Sequence, residues 1–228
     1  MPRSSGRSAR PSGNGAAPSP GRSAPRPPRG RARRIVTVAD ANAAVLRRRS
    51  RAVPAIDAAV RRLVADMAVT MRRANGAGLA AVQIGVPLRV ILADTGRGLL
   101  ALVNPRLRRR SGVDVGPEGC LSIPGVTAPV RRALRVTVDG TLLTGQRVGL
   151  RASGFIARIL QHEIDHLNGV LFLDRVRRSA VRRRRKIRPS KADRWRGSTL
   201  ALAGVNGSGG GAARRPAPAR PAGRSPRR

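Results

Sequence analysis

The chain has 228 residues, a length that suits one domain with appended segments. It carries 47 Lys and Arg against 11 Asp and Glu, a net charge of +36 that indicates attraction to RNA, DNA or anionic surfaces. No apolar run approaches the roughly 18 residues of a membrane-spanning helix, and the scarcity of aromatic residues argues against base stacking on single strands. The single cysteine excludes an intramolecular disulfide and fits a reducing compartment.

Both ends of the chain have the composition of disordered segments. Residues 1–34 are rich in Arg, Ser, Pro and Gly, contain no acidic residue and lack the apolar core of a secretory signal. An organelle transit peptide is the alternative, although the density of proline argues against its amphipathic helix. Residues 179–228 form a basic, low-complexity tail, and a basic helix could run from about Arg175 to Ile187. The catalytic domain is then expected at 35–178.

The first half of this domain begins with a helix and continues with strands. A helix is predicted between Pro54 and the pair Asn75-Gly76 because apolar residues recur at helical spacing. The runs LRVILAD and LLALVN predict strands, the second ending before Pro105. The segment ALRVTVDGTLLTG predicts a hairpin whose two-residue turn is Asp139-Gly140.

A late helix follows the strands and contains the only two histidines. The segment SGFIARILQHEIDHLNG has Ser153 as a plausible N-cap and Gly169 at its C-terminal end. Strands followed by one late helix predict an α+β fold, with small antiparallel sheets wrapped around a central C-terminal metal-binding helix.

His162 and His166 lie four residues apart, on one face of this helix. Two imidazoles in that position can hold one metal ion, and the adjacent Glu163 can handle the proton of a metal-bound water. The alternative interpretation is that two polar residues merely share a helix face.

A catalytic site of this kind needs a third protein ligand. The chain has no further histidine, and the downstream carboxylates are Asp174 and Asp193. Cys120, in the segment PEGCLSIPG, is the favoured candidate, in a shaped loop marked by Gly119 and Pro124-Gly125. A buried structural thiol is the alternative.

The segment GAGLAAVQIG follows the first helix and completes the group of motifs. Gly76 and Gly78 allow close approach of the backbone to a ligand, and the amide of Gln83 could donate a hydrogen bond to a developing oxyanion. An exposed loop glutamine is the ordinary interpretation.

In this order, GAGLAAVQ, EGCLS and QHEIDHLNG strongly resemble the motifs of peptide deformylase, over about residues 35–175. The resemblance implies that Cys120, His162 and His166 bind one divalent metal ion per chain, ferrous iron first, with zinc or nickel as alternatives. It implies that Glu163 is the general base, passing a proton from the metal-bound water to the departing amine.

The resemblance also assigns groups that stabilise and align the substrate. The Gln83 amide and the Leu121 backbone N–H would stabilise the oxyanion, and the backbone around Gly76 and Gly78 would pair with the substrate as an added strand. The substrates would be nascent polypeptides that begin with formylmethionine, and the products would include formate.

Several further expectations accompany the resemblance. Phe155 and Ile159 are candidates for the methionine pocket, with ordinary core as the alternative. Arg131 and Arg132 are expected at the surface, with contact to the backbone or C-terminal side of the substrate peptide as the alternative. Asp165 either orients a ligand imidazole or caps a strand. The protein is expected to be a monomer in the bacterial cytoplasm, without membrane attachment, and its basic tails could hold it near ribosomal RNA.

Two other classes of function compete with the hydrolase. One is a nucleic-acid-binding protein in which the tails are functional and the core is inactive, although all the expected catalytic positions are filled. The other is an HExxH endopeptidase, which the absence of a downstream His or Glu ligand disfavours.

Overall fold

The computed structural model describes residues 29–176 and 195–203, together with the backbone of 182–183. Two α-helices, α1 (Ala58–Arg73) and α2 (Gly154–Leu167), are combined with antiparallel strands, which confirms the predicted α+β class. The strands are β1 (Gly78–Ala80), β2 (Val90–Asp94), β3 (Leu99–Ser111), β4 (Asp114–Cys120), β5 (Ile123–Arg132), β6 (Arg135–Thr141), β7 (Arg147–Ser153), β8 (Arg182–Arg183) and β9 (Leu200–Ala203).

Helix α1 forms as its apolar spacing predicts. Asp57 is its N-cap and accepts a hydrogen bond from the Val60 backbone N–H at 2.8 Å, which satisfies one of the free donors of the first turn. The buried stripe packs against β1, β2 and the first part of β3. The stripe includes Val60, Leu63, Val64, Met67 and Met71.

The strands form two sheets. The larger has the order β1-β2-β3-β6-β7-β9, and the smaller has the order β4-β5-β8. The main core lies between the inner face of the larger sheet and α2. A second apolar cluster lies between α1 and the opposite face of β1, β2 and β3. The two helices therefore cover opposite faces of the β1 end of the sheet.

Strand β3 does not end before Pro105, so this prediction is wrong. The strand continues to Ser111, with a register shift between Val103 and Arg106. Asn104 has φ 52°, and its side chain accepts from the Val53 N–H at 2.9 Å and donates to the Val53 carbonyl at 2.8 Å. A bulge accommodates proline because the missing N–H need not pair there.

The turn between β6 and β7 also differs from its prediction. Asp139 and Gly140 lie inside β6, where they pair with Gly149 and Val148. The chain reverses further on, where the Leu142 N–H bonds the Gln146 carbonyl and the N–H of Gly145 (φ 92°) bonds the Leu142 carbonyl. Gly140 serves packing instead, because a β-carbon there would lie 3.3 Å from a methyl of Leu102.

Helix α2 is the buried centre of the molecule. Ser153 is its N-cap residue, without a side-chain hydrogen bond to the helix, and Gly169 has φ 75° just beyond its last turn. Twelve of its fourteen residues are buried. An amphipathic pattern predicts one exposed face and therefore does not predict that nearly the whole helix is buried. Among the described residues, no helix is long and apolar enough to cross a membrane.

Segments assigned to the tails contribute to the fold. The backbone N–H groups of Arg31 and Arg33 donate to Asp66 and Thr70 at 2.8 Å each. Strand β9 pairs with β7, and Trp195 packs edge-on against Phe155 with ring centroids 5.6 Å apart. The basic helix expected from Arg175 is not formed at 182–183, which form β8 beside β5. Residues 1–28 and 204–228 lie outside the described part of the chain.

Candidate metal centre

Three potential ligands from two elements meet beside β1. The Cys120 sulfur and one ring nitrogen from each of His162 and His166 all lie within 4.8 Å of one another. The Cys120 Sγ lies 3.2 Å from the His166 Nε2, and the two imidazole centroids are 4.9 Å apart. Cys120 is the last residue of β4, at a register shift in its pairing with β5, and not in the loop that the flanking glycine and proline suggest.

This cluster fits a divalent cation. Metal–sulfur and metal–nitrogen bonds of about 2.3 and 2.0 Å place tetrahedral ligand atoms roughly 3.5 Å apart, close to the observed sulfur–nitrogen separation. His166 is 1% exposed and its Nδ1 has no hydrogen-bond partner among the described residues. Asp174, the alternative third ligand, instead forms an ion pair with Arg47 and is not among the residues of the cluster.

Glu118 contacts His162, the first histidine of the cluster, on the side away from the other candidate ligands. Its Oε2 lies 3.0 Å from the Nδ1 of His162, an arrangement that directs Nε2 toward the cluster. Burial alone raises the pKa of Glu118, but hydrogen bonds with Arg132 and His162 outweigh it and lower the pKa to about 2. Glu118 is therefore a carboxylate at neutral pH. The sequence pattern did not predict this role of Glu118.

Glu118 belongs to a buried network of charged side chains that joins β4 and β5 to α2. Arg132 donates two hydrogen bonds to Glu118, at 2.8 and 2.9 Å, and one to Asp165 at 2.5 Å. Arg158 also donates hydrogen bonds within this network, to Glu118 at 2.8 Å and to Asp114 at 2.6 Å. Arg132 was expected at the surface, but its side chain is 3% exposed because this network compensates its charge.

Asp165 joins this network and not the metal cluster. It accepts hydrogen bonds from Arg132 and, at 2.5 Å each, from the Nε and Nη2 of Arg175. Among the described residues, no hydrogen bond joins Asp165 to either histidine. Two residues, Arg132 and Glu118, connect it to His162.

Gln83 is buried, which overturns the interpretation of an exposed loop residue. It lies in a short 3₁₀ turn (Ala81–Ile84) directly after β1 and is 2% exposed. Its Oε1 accepts a hydrogen bond from the Ala80 N–H at 2.8 Å. This bond fixes the amide so that Nε2 lies 3.5 Å from the Cys120 sulfur and 3.2 Å from the Ser122 hydroxyl.

Glu163 follows His162 in the sequence and is 4% exposed. Burial raises its pKa to about 7, with His162 opposing the shift and Glu118 reinforcing it. Its Oε2 has no hydrogen-bond partner among the described residues. A carboxyl group that titrates near neutral pH can accept a proton and return it.

The two glycines lie against catalytic candidates from other segments. A β-carbon on Gly78 would lie 2.3 Å from the Oε1 of Glu163, and one on Gly76 would lie 2.9 Å from a methyl of Leu121. The structure thus brings the three motifs together, although they are far apart in the chain. Ile159 also lines this place, 2.8 Å from the same Gly78 position, whereas Phe155 packs on Trp195.

The histidine ligands differ in their proton affinity. Burial lowers the pKa of His166 well below its ordinary value, and His162 and Arg132 lower it further. Burial also lowers the pKa of His162, but hydrogen bonds with Cys120 and Glu118 outweigh it and raise the pKa well above its ordinary value. A cation must therefore displace a proton from this pair, since only neutral imidazole binds a metal.

A family model for polypeptide deformylase matches residues 32–182. The peptide deformylase of Halothermothrix orenii is 49% identical over 134 residues, which cover 58% of this chain and 87% of that protein. The peptide deformylase of Acetivibrio thermocellus is 43% identical over 157 residues, which cover 64% and 92%.

Solved structures agree with the sequence relatives. The peptide deformylase of Thermotoga maritima superposes with a TM-score of 0.61 at 35% identity, covering 64% of this chain and 98% of that one. The enzyme from Synechococcus elongatus, in complex with actinonin, superposes with a TM-score of 0.61 at 38% identity, covering 71% and 86%. The chain therefore belongs to the polypeptide deformylase family, metal-dependent hydrolases that remove the formyl group from the N-terminal formylmethionine of nascent polypeptides.

Proposed function

We propose that Cys120, His162 and His166 are the metal ligands of this deformylase. The observation that carries the proposal is the convergence of one sulfur and two ring nitrogens within 4.8 Å, beside a buried glutamate. A divalent cation bound there supplies a Lewis acid that lowers the pKa of the attacking water and polarises the formyl carbonyl. Glu118 supports the site by holding the His162 ring in one tautomer.

Glu163 is proposed to move the proton. It accepts a proton from the water as the water oxygen attacks the formyl carbon, and it delivers that proton to the amine nitrogen as the carbon–nitrogen bond breaks. Formate and a free N-terminus are the products. A pKa of about 7 in a buried carboxyl suits both transfers, because the group is a competent base before attack and a competent acid afterwards.

Gln83 and Leu121 are proposed to stabilise the oxyanion that forms on the formyl oxygen. The Gln83 amide is held by the Ala80 backbone and lies close to the Cys120 sulfur. Leu121 follows Cys120 directly, so its backbone N–H lies immediately after β4, the strand that ends at Cys120. Preorganised donors of this kind stabilise the transition state by about 3 kcal/mol each when aimed at the developing charge.

The substrate backbone is proposed to pair with the segment from Gly76 to Gly78. Strand β1 is an edge of the larger sheet, so an extended peptide can add to it through main-chain hydrogen bonds. Main-chain pairing tolerates different side chains, which suits an enzyme that meets many nascent chains. A relative from Acinetobacter baumannii, 32% identical, was solved with Met-Ala-Ser bound, which supports a peptide occupant.

The ligand assignment is tested by metal content. Protein purified without oxygen should hold one metal ion per chain, and Cys120→Ala should lose most of it. Asp174→Asn is the matched control, because Asp174 is the alternative third ligand and pairs with Arg47 instead. Retention of the metal by the Cys120 variant together with loss in the Asp174 variant would overturn the assignment.

We propose ferrous iron as the native ion, with zinc and nickel as the alternatives. A thiolate with two imidazoles suits all three, so the donor set alone does not select among them. Cys120 is only partly buried, so its thiolate is accessible to oxidants. Zinc has no redox chemistry, so a faster loss of activity in air than that of the zinc-loaded protein would distinguish iron.

We infer that the enzyme works as a monomer in the bacterial cytoplasm and that its basic tails hold it near ribosomal RNA. All the proposed catalytic groups come from one chain, and the substrates are nascent polypeptides. The tail residues 1–28 and 204–228 include many arginines. Co-sedimentation with ribosomes should weaken when these residues are deleted, and the difference should shrink with added salt. Equal co-sedimentation of both forms across the salt series would contradict this role.

A further inference from the structure

The face of the larger sheet that packs against α1 is only partly covered. Helix α1 covers it at β1, β2 and the start of β3. Val103, which packs in that cluster, is directly opposite Thr141 of β6. The same face therefore continues onto β6 and β7, where the described residues leave a concavity of about 1290 Å³.

Arginines dominate this concavity. Eight of them line it, and Asp139 is its one acidic lining residue. Asp139 is paired with Arg108 at 3.0 Å, so its charge is compensated. We call the surface formed by Arg109 of β3 and Arg147 and Arg151 of β7, with Thr137 of β6 between them, the arginine face.

The arginines are spaced across neighbouring strands. Arg109 is opposite Thr137 of β6, which is opposite Arg151 of β7, so the two arginines lie roughly 10 Å apart across two strand spacings. Arg147 is four residues before Arg151 and on the same side, roughly 13 Å along the strand. All three are exposed, and no carboxylate of the described residues forms an ion pair with any of them.

We propose that the arginine face binds the phosphate backbone of double-stranded RNA. An uncompensated array of guanidinium groups matches a regular array of phosphates, and it reads charge and shape without reading sequence. Among the described residues, no aromatic side chain lines the concavity, so this part of the chain offers unpaired bases no stacking platform. A duplex fits better than a single strand, since its bases are already stacked inward. RNA is the occupant because the substrates of this enzyme emerge from ribosomes.

The arginine face and the metal centre lie on opposite sides of the sheet. The alternate residues of β6 and β7, among them Val136, Val138 and Leu150, point inward and belong to the core cluster that includes α2. That helix carries His162 and His166. Substitutions on the arginine face therefore leave hydrolysis of a short formylated peptide unchanged.

The test compares two triple variants of the full chain with equal loss of charge. One changes the arginine face by Arg109→Gln, Arg147→Gln and Arg151→Gln. The matched control changes three exposed arginines on α1, by Arg62→Gln, Arg72→Gln and Arg73→Gln. Binding to a 20-base-pair RNA duplex is measured over a salt series, and hydrolysis of a formyl-Met tripeptide verifies the fold of each protein.

The arginine-face variant should bind RNA at least tenfold more weakly and lose about one unit of salt slope for each arginine, while the α1 variant changes much less. Equal losses in the two variants, or no loss in either, would overturn the proposal, because net charge or the tails would then explain all the binding. A parallel measurement uses vesicles of anionic phospholipid. A defect confined to the vesicles would also overturn the RNA assignment, in favour of a membrane surface.

Discussion

Gly78 shows how a residue without a side chain can determine the position of a catalytic candidate. It begins β1, and the space that a β-carbon would need is occupied by the carboxylate of Glu163. The glycine is not required for an unusual backbone angle, because its φ is not positive. It is required because the proposed base and the strand that would receive the substrate are in close contact.

We predict that Gly78→Ala lowers kcat/KM by about 100-fold, because the new methyl group displaces the Glu163 carboxylate from its position and small misplacements of a catalytic group are costly. The measurement is formate release with metal content determined on the same samples. Gly76→Ala is the control, since its methyl group would lie 2.9 Å from the flexible end of Leu121 and 3.2 Å from Met71 and the Gly78 carbonyl, without contact to Glu163, and should cost much less. Equal losses in the two variants would contradict the proposed role of this contact.

Residue chemistry predicted the cluster of Cys120, His162 and His166 better than it predicted the groups behind it. A chain with two histidines and one cysteine leaves few ways to assemble a metal site, so composition alone favoured Cys120, His162 and His166. Glu118 was missed because its contact with His162 spans 44 positions and no periodic pattern encodes it. The burial of Gln83 was not predicted, because the short turn that buries it has no strong sequence signal.

At the scale of elements, the buried ion network attaches the strand of Cys120 to the helix of the histidines. Arg158 and Arg132 reach from α2 and β5 to Glu118 and Asp114 of β4. The apolar core alone could hold α2 under the sheet, but it does not set the distance between the thiolate and the imidazoles. The network constrains this distance, because its hydrogen bonds are directional and its central side chains, Glu118, Arg132 and Arg158, are almost fully buried.

We predict that Arg158→Met lowers the free energy of unfolding by about 3–5 kcal/mol, because it leaves the carboxylate of Glu118, which is 4% exposed, with less compensation in a buried place. Arg108→Met is the matched control. Its partner Asp139 is 48% exposed, so the loss should stay below about 1 kcal/mol. Denaturant unfolding of both variants in the metal-bound form measures the difference. A cost for Arg158→Met no greater than that of the control would contradict a structural role for the network.

Two strand boundaries were predicted wrongly because residues that are typical of turns have another role in this fold. Asp139-Gly140 is a typical hairpin turn, but Gly140 instead leaves room for the side chain of Leu102. The chain turns five residues later, at Gly145. Pro105 is a strong strand terminator, but the bulge at Asn104 absorbs it. Both errors come from tertiary packing that a local pattern cannot contain. The two helices, whose apolar spacing extends over several turns, formed where predicted.

At the scale of the whole molecule, a net charge of +36 is combined with a deformylase core whose active site requires none of it. The charge is concentrated in the chain ends and on surfaces such as the arginine face, away from the metal centre. This separation suggests that the core supplies the reaction and the charge supplies the location of the enzyme. The two properties can therefore be tested independently.

We predict that the enzyme purified without oxygen loses formate-releasing activity within hours in air and regains it after treatment with a thiol reductant and reconstitution with Ni(II). The reason is that a ferrous centre and its partly exposed thiolate are both open to oxidation. The measurement is a time course of activity in air, with an anaerobic sample as control. Full activity after days in air would contradict ferrous iron as the native ion.

The central claim is that this chain hydrolyses formyl groups with Glu163 as the base at a Cys120–His162–His166 metal centre. Its most direct test is formate release from a formyl-Met tripeptide by anaerobically purified protein, beside Glu163→Ala with equal metal content. We predict clear release by the wild type and a loss of about 10²–10⁴-fold in the variant. No release from a wild type holding one metal per chain, or equal rates in the two proteins, would contradict it.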